Sequence, residues 1–370
     1  MKLPFGFSFS ILAIIFASAC RSTPKAPEIP KMQADRQSQA AEAAAPEVKE
    51  QPAPQAKKQD QTHLLQGHRF AQDGLYREAI REYQLFLHQK NNHPEALRAL
   101  GIVQVKTGQY TDAIKSLEVA RQHFRDDFEA NFYLAESYRT QDRFDDAIFY
   151  YRIALKQKPD HIPTMKALAW SYYQIRYYRA SFDIARHLKK AAPNDVQVDI
   201  ILGRVLNRMG RSDQALNIIR KSIVLSNQAE QPFLRSVLGD ILESMGDCTQ
   251  AENVYREALK DQPLLAGALL GLAKCMIQKG QEIETARDFI ERALRLKPKL
   301  TEAIFWLAKS YEGSQPEKAG RYFSLFQSRA AGDPAFSEKL EISRQKLSQI
   351  RSKTAPSASG TSSGRKATMF

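Results

Sequence analysis

Apolar and polar positions alternate along this chain with a helical period, and the helices come in pairs. The segment FDDAIFYYRIALKQKP, from Phe144 to Pro159, shows the unit: an aromatic residue, alanine three on, a second alanine seven further, and proline five beyond that. Spacings of three and seven keep these side chains on one face of an α-helix. The proline stops the helix, because it lacks a backbone N–H and restricts the residue before it. Whole or in part, the pattern returns as YTDAIKSLEVA from Tyr110, CTQAENVYREALKDQP from Cys248 and TARDFIERALRLKP from Thr285. Its first small residue falls at Ala79, Ala113, Ala147, Ser181, Ala215, Ala251, Ala286 and Ala319, at spacings of 34, 34, 34, 34, 36, 35 and 33. Eleven to thirteen residues before each stands another small residue: Gly67, Gly101, Ala135, Ala169, Gly203, Gly239, Ala273 and Ala308.

Two amphipathic helices joined by a short turn account for this spacing. Small residues in both let the helix axes approach where they cross. A leucine precedes the small residue of the first helix, Gly101 to Ala308, in seven of the eight units, from Leu100 through Leu307, and fills the space beside it. Gly74, Gly108, Gly210, Gly246 and Gly280 stand at the turn, where glycine is the natural helix terminator. One helical pair cannot bury its own apolar face, so neighbouring pairs must stack into one continuous core. The prediction is an all-α solenoid of about eight helix-turn-helix units.

By period, small-residue positions, turn aromatic and terminal proline together, these units resemble the tetratricopeptide repeat (TPR). The resemblance covers residues 61–333. Its end units are degenerate, with Gln66 in place of the leucine in the first and EGSQPEK as the turn of the last. A capping helix is expected over 334–351, and the low-complexity tail 352–370 is read as disordered. The resemblance implies a right-handed superhelix whose first helices line a concave groove that holds peptides or partner segments. Carried onto this frame, the groove positions are Phe132, Glu136 and Arg139, then Lys166, Trp170 and Tyr173, then Arg204, Asn207 and Arg208. Asp240, Glu243, Lys274, Phe305 and Lys309 follow. Aromatic and arginine side chains are the usual anchors of protein interfaces, and an arginine cluster suits carboxylates, so an acidic partner is expected. The TPR variant that clamps a chaperone C-terminus needs Lys and Asn where this chain has Leu64, His68, Ala99, Glu129 and Tyr133, and none fits.

The same frame dissects WSYYQIRYY, Trp170 to Tyr178, with its five aromatics in nine residues. Tyr172 takes an inward place and Tyr178 is the turn aromatic, so both are packing. Tyr177 lies in the turn, half exposed, where Arg176 replaces the usual glycine. Trp170 and Tyr173 are left for the groove.

The N-terminus, MKLPFGFSFSILAIIFASAC, reads as an export signal over residues 1–19: Lys2, an apolar run from Phe5 to Phe16, then Ala17-Ser18-Ala19. The run is shorter than the roughly 20 residues that span a bilayer. The tetrad ASAC resembles a bacterial lipobox, with Ala17 where leucine is usual, which implies acylation of Cys20. Ordinary secretion with cleavage near Ala19 is the alternative. Arg21 after the cysteine implies the outer membrane, with the folded part on its periplasmic face. Residues 20–60 carry six prolines and no glycine among Ala, Gln, Lys and Glu, and are read as a flexible tether.

The remaining composition narrows the chemistry. The formal charge is +13, yet the basic residues are spread over the repeats and the export signal argues against a nucleic-acid partner. No phosphate loop, nucleophile elbow or zinc spacing is present, so neither an enzyme nor a cofactor is expected, and no metal site. Cys248 and Cys275 fall on neighbouring elements, either as a disulfide or as two small apolar residues. The expectation is a lipid-anchored scaffold that holds envelope proteins, such as those of pilus, secretion or peptidoglycan machinery. The alternative is a glycan-binding module that uses Trp170 and Tyr173.

Overall fold

The computed structural model describes residues 54–354, with side chains over 61–352, and every element among the described residues is helical. The export segment, Cys20, the tether up to residue 53 and the tail from 355 lie outside the described residues. The helices pair in chain order: α1 (Pro54–Gln72) with α2 (Tyr76–Gln89), α3 (Pro94–Lys106) with α4 (Tyr110–Arg121), and α5 (Phe128–Thr140) with α6 (Phe144–Gln157). Then come α7 (Ile162–Gln174) with α8 (Tyr178–Ala191), α9 (Val196–Arg208) with α10 (Ser212–Leu225), and α11 (Gln231–Ser244) with α12 (Cys248–Asp261). The last pairs are α13 (Ala266–Lys279) with α14 (Ile283–Leu296) and α15 (Thr301–Tyr311) with α16 (Pro316–Ala330). A 3-10 turn, Pro334–Phe336, leads into α17 (Ser337–Thr354), which packs on α16 with Leu347 and Ile350 over Gly320. Helix α1 begins at Pro54, inside the span read as tether, because proline suits a first helical turn and Gln-Ala-Lys-Lys continues it well.

The first seven pairs turn the same way, and α15–α16 closes instead with Gln315 N on the Tyr311 carbonyl (2.9 Å). The turn residue sits in the left-handed region: Gly74, Gly108, Gly210, Gly246 and Gly280 at φ of 68 to 85°, and Asp142 and Arg176 at 62° and 65°. The next N–H then bonds to the carbonyl five residues back, as in Leu75 to Phe70 (2.8 Å) and Tyr177 to Tyr172 (2.9 Å). This closes orphan carbonyls at the end of the first helix. Tyr177 is 46% exposed, as its place in the turn requires.

The small residues do what their spacing predicts. Ala79, Ala113, Ala135, Ala147, Ala169, Ala215, Ala251, Ala273, Ala286, Ala308 and Ala319 are all fully buried at helix crossings. Ser181 takes the same place and donates its hydroxyl to the Ala169 carbonyl (2.7 Å). The tightest crossing lies between α11, α12 and α13, where the fully buried Tyr255 ring fits between Gly239 and Gly271. Cys248 and Cys275 are adjacent free thiols; Cys248 Sγ donates to Gln278 Oε1 (2.9 Å), and burial pushes the Cys275 thiol up.

Contacts between distant repeats bring the curved array toward itself. Lys299, between α14 and α15, pairs with Asp142 in the α5–α6 turn (3.0 Å). Arg176 in the α7–α8 turn donates to the Pro334 carbonyl (3.2 Å).

Candidate functional site

The odd-numbered helices α5 to α15 line the concave face, and their polar side chains reach across from one helix to the next. At its N-terminal end, Phe132 is half-buried, stacked on Phe128 at 5.8 Å and edge-on to Tyr133 and His161. It belongs to an aromatic packing cluster more than to an open platform. Arg139 bonds Glu136 (2.7 Å), which also accepts from the Tyr151 hydroxyl. Burial alone would lower the Arg139 pKa, but this carboxylate outweighs it and holds the guanidinium charged.

Three of the expected groove residues are engaged in joining repeats. Lys166 pairs with Asp195 (2.8 Å), and Asp195 in turn caps α9 by accepting from Gln197 N (2.8 Å). The Asn207 Oδ1 accepts from Ser212 Oγ (2.8 Å) and Ser244 Oγ (2.9 Å), and so clips α9 to α10 and α11. Arg204 lies within 3.7 Å of Asp240, whose other oxygen accepts from the Tyr255 hydroxyl (2.9 Å). Burial raises the Asp240 pKa, and Arg204 and Tyr255 oppose that rise.

The structure does bring Trp170, Tyr173, Arg204 and Arg208 together. The Trp170 and Tyr173 rings stack at 5.3 Å and 24°, one helical turn apart on α7. The Arg204 guanidinium lies over Trp170, 5.7 Å from the ring centre. Arg204 Nε is buried and has no hydrogen-bond partner among the described residues. Arg208 is exposed and makes no ion pair among the described residues; the Tyr173 hydroxyl raises its pKa against the effect of burial. Glu302 on α15 adds to that rise, so the concave faces of α9 and α15 lie within electrostatic reach of each other.

Further along, Lys274 stands between Glu243 (2.9 Å) and Glu302 (3.4 Å), and Lys339 of α17 also reaches Glu302 (3.2 Å). Trp306 flanks this set, 5.8 Å under Lys274 and donating to Glu302 (3.4 Å). Burial would raise the Glu302 pKa; the two ammonium groups outweigh it and hold the carboxyl at about 2. Lys309 bonds Glu312 (3.7 Å). Phe305 is a correction: it is 3% exposed and packs on Phe323 and Phe326, not in the groove. It faces α16, where the Phe323 and Phe326 rings close over it. Glu302, Trp306 and Lys339 were not foreseen. Lys339 lies beyond the repeat frame, and the charge opposite Glu302 becomes visible only once the helices stack.

Among the described residues no cluster of three or more His, Cys, Asp or Glu could hold a metal ion. No described helix is long and apolar enough to cross a membrane. What the face offers is an aromatic pair, two arginines with spare donors, and a ladder of alternating charges. Such a surface binds by shape and charge.

A family model for the tetratricopeptide repeat matches residues 64–120, 98–162 and 237–301. This chain carries tetratricopeptide repeats. Solved structures agree on the TPR architecture. A tetratricopeptide repeat protein from Parabacteroides merdae is 15% identical over 68% of this chain and 99% of its own, with a TM-score of 0.61. The Cut9–Hcn1 hetero-tetramer of the APC/C aligns at 13% identity and TM-score 0.54, covering 79% of this chain and 54% of that one. A monomeric IFIT1 mutant with Gppp-AAAA aligns at 16% and 0.50, covering 79% and 76%. At these identities the likeness is one of fold. Among curated proteins no sequence matches. The chain is thus an all-α TPR solenoid, a scaffold architecture that serves protein–protein interaction.

Proposed function

We propose that this TPR solenoid is a lipid-anchored scaffold of the bacterial cell envelope, and that its groove holds an extended segment of a partner protein. Acylated Cys20 would fix it to the periplasmic face of the outer membrane, and the tether would let the groove work away from the bilayer. The observation that carries the groove reading is the Trp170–Tyr173 stack beneath Arg204, with a buried guanidinium N–H left unpartnered. The rest of the Arg204 side chain is partly exposed, so a partner carboxylate or backbone carbonyl would meet its outer N–H groups over the indole. The partner contributes a carboxylate beside an apolar or aromatic side chain; the many acids already in the groove disfavour a long acidic run. The glycan reading is weaker, because sugars stack on an open ring face. Tyr173 stacks on Trp170 and the Arg204 guanidinium lies over the same indole, so its ring surface is already engaged.

A photo-crosslinking amino acid at Tyr173, compared with one at Phe149 on an outer helix, tests this in living cells. The expected result is a protein adduct from Tyr173 that Arg204→Ala abolishes. Adducts to peptidoglycan alone, or equal protein adducts from Phe149, would overturn it.

A further inference from the structure

The most exposed apolar side chains of α9 to α13 gather on the edge formed by the loops between repeats. Val224 is 81% exposed, Leu225 70% and Leu264 65%. Val224 and Leu225 mark a break in the repeat: the spacing from Ala215 to Ala251 is 36, and α10 ends at Leu225 with no proline directly after it. The extra residues form the loop Ser226–Glu230. Beside it opens a cavity of about 540 Å³ lined by Lys189, Pro193, Val196, Ile218, Lys221 and Leu225. A second hollow, between Gln228, Pro232 and Asp261, continues the surface toward Leu264.

The cations on this edge are free where most of its anions are used. Lys190, Arg220, Lys221 and Lys260 are exposed and make no ion pair among the described residues. Most of the acids are bound: Asp195 to Lys166, Asp199 to Lys189 (2.6 Å), and Asp261 to Arg235 (2.7 Å), while Glu230 makes no ion pair among the described residues and accepts from Asn227 N (3.4 Å). Cations at helix C-termini answer the helix dipole, but that effect gives no reason for three leucine-type side chains to stand in water beside them. Protruding apolar tips ringed by long, unpaired lysines match the boundary between lipid headgroups and acyl chains.

We infer that the loop edge from α8 to α13 seats on an anionic bilayer surface. Val224, Leu225 and Leu264 enter the acyl boundary, and Lys190, Arg220, Lys221 and Lys260 meet the lipid phosphates. This contact is independent of the anchor at Cys20 and of the groove. It sets how the solenoid lies on the membrane.

The test uses the full chain and vesicles of acyl-brominated phosphatidylglycerol, with tryptophan emission as a depth gauge. Val224→Trp and Leu264→Trp report from the edge, Gln109→Trp from an opposite turn, and the unsubstituted chain supplies the background of Trp170 and Trp306. The added emission at 224 and 264 should fall about twofold or more if the side chains reach the acyl boundary, and that at 109 should not. Zwitterionic brominated phosphatidylcholine should give far less quenching. Lys190→Gln, Lys221→Gln and Lys260→Gln combined with Val224→Trp should abolish the effect, since each cation near such a surface matters. Absent quenching at 224 and 264, equal quenching at 109, or no dependence on lipid charge overturns the inference. So does a blue shift with soluble polyglutamate alone, which assigns the edge to an acidic protein.

Discussion

The Tyr255 crossing offers a sharp test of how deeply the repeats interlock. An alanine at Gly271 would place its Cβ on the Cζ and Oη atoms of Tyr255 and within 2.7 Å of Cε1. The ring cannot step aside, because Gly239 closes on its Cε1 and Cδ1 from α11. It cannot withdraw without breaking its hydrogen bond to Asp240. Overpacking costs about 1–3 kcal/mol, and losing a hydrogen bond to a charged group about 1.5–3. Against these, replacing glycine within a helix returns about 1 kcal/mol, so Gly271→Ala should destabilise by about 1.5–5 kcal/mol. Gly267, one turn earlier on α13, meets only Ser236 Oγ, at 3.3 Å. Gly267→Ala should therefore be neutral or stabilising by up to about 1 kcal/mol. Urea unfolding followed by far-UV circular dichroism gives the two midpoints, and hydrogen exchange in α12 and α13 localises the change. A loss below about 0.5 kcal/mol for Gly271→Ala, or the same midpoint for both, would refute the packing depth argued here.

Arg176→Gly should change stability by less than about 1 kcal/mol, because relief of the left-handed φ of 65°, about 1–2 for an L-residue, is offset by glycine's added chain entropy and by loss of the hydrogen bond to the Pro334 carbonyl; thermal melting measures it, and a loss above about 2 kcal/mol would contradict the turn geometry. Glu302 is held down at about 2 in the folded chain, so its stabilising contribution is complete above the unfolded carboxyl pKa of about 4.3 and disappears as pH falls through about 2. Lys274→Met should flatten that acid limb in pH-dependent unfolding. The Cys275 thiol, raised by burial, should resist alkylation by iodoacetamide at pH 8 until the chain is unfolded, while mass spectrometry of labelled peptides finds Cys248 modified first. Cys20→Ser should release the protein from the membrane fraction and abolish labelling by radioactive palmitate; retention of both would exclude the anchor.

Much of this fold could be read before any coordinates, because its rules are local and repeated. A small residue every 34 positions marks a helix crossing, and the leucine before it marks the inward face. Arg176 was legible as a turn residue only because glycine stands at the equivalent place in five other repeats. The groove was legible by face but not by partner. Trp170 and Tyr173 share a helix, so their stack follows from a spacing of three. Lys166 and Asp195 are 29 residues apart, and their pairing depends on how far α7 and α9 slide past each other. Asn207 looked like a ligand contact for the same reason; its role as a clip needs Ser244 brought alongside. Phe305 was misplaced because the aromatic cluster that buries it, with Phe323 and Phe326 of α16, exists only once the helices pack.

The clips along the groove have a further consequence. Lys166–Asp195, Arg204–Asp240 and Lys274 between Glu243 and Glu302 are at once the lining of the binding face and the rungs that hold successive repeats at a fixed angle. A bound segment that borrows one of these charges loosens the joint beneath it. If a segment occupies the groove as proposed, its occupancy would then appear as a change in the curvature of the solenoid.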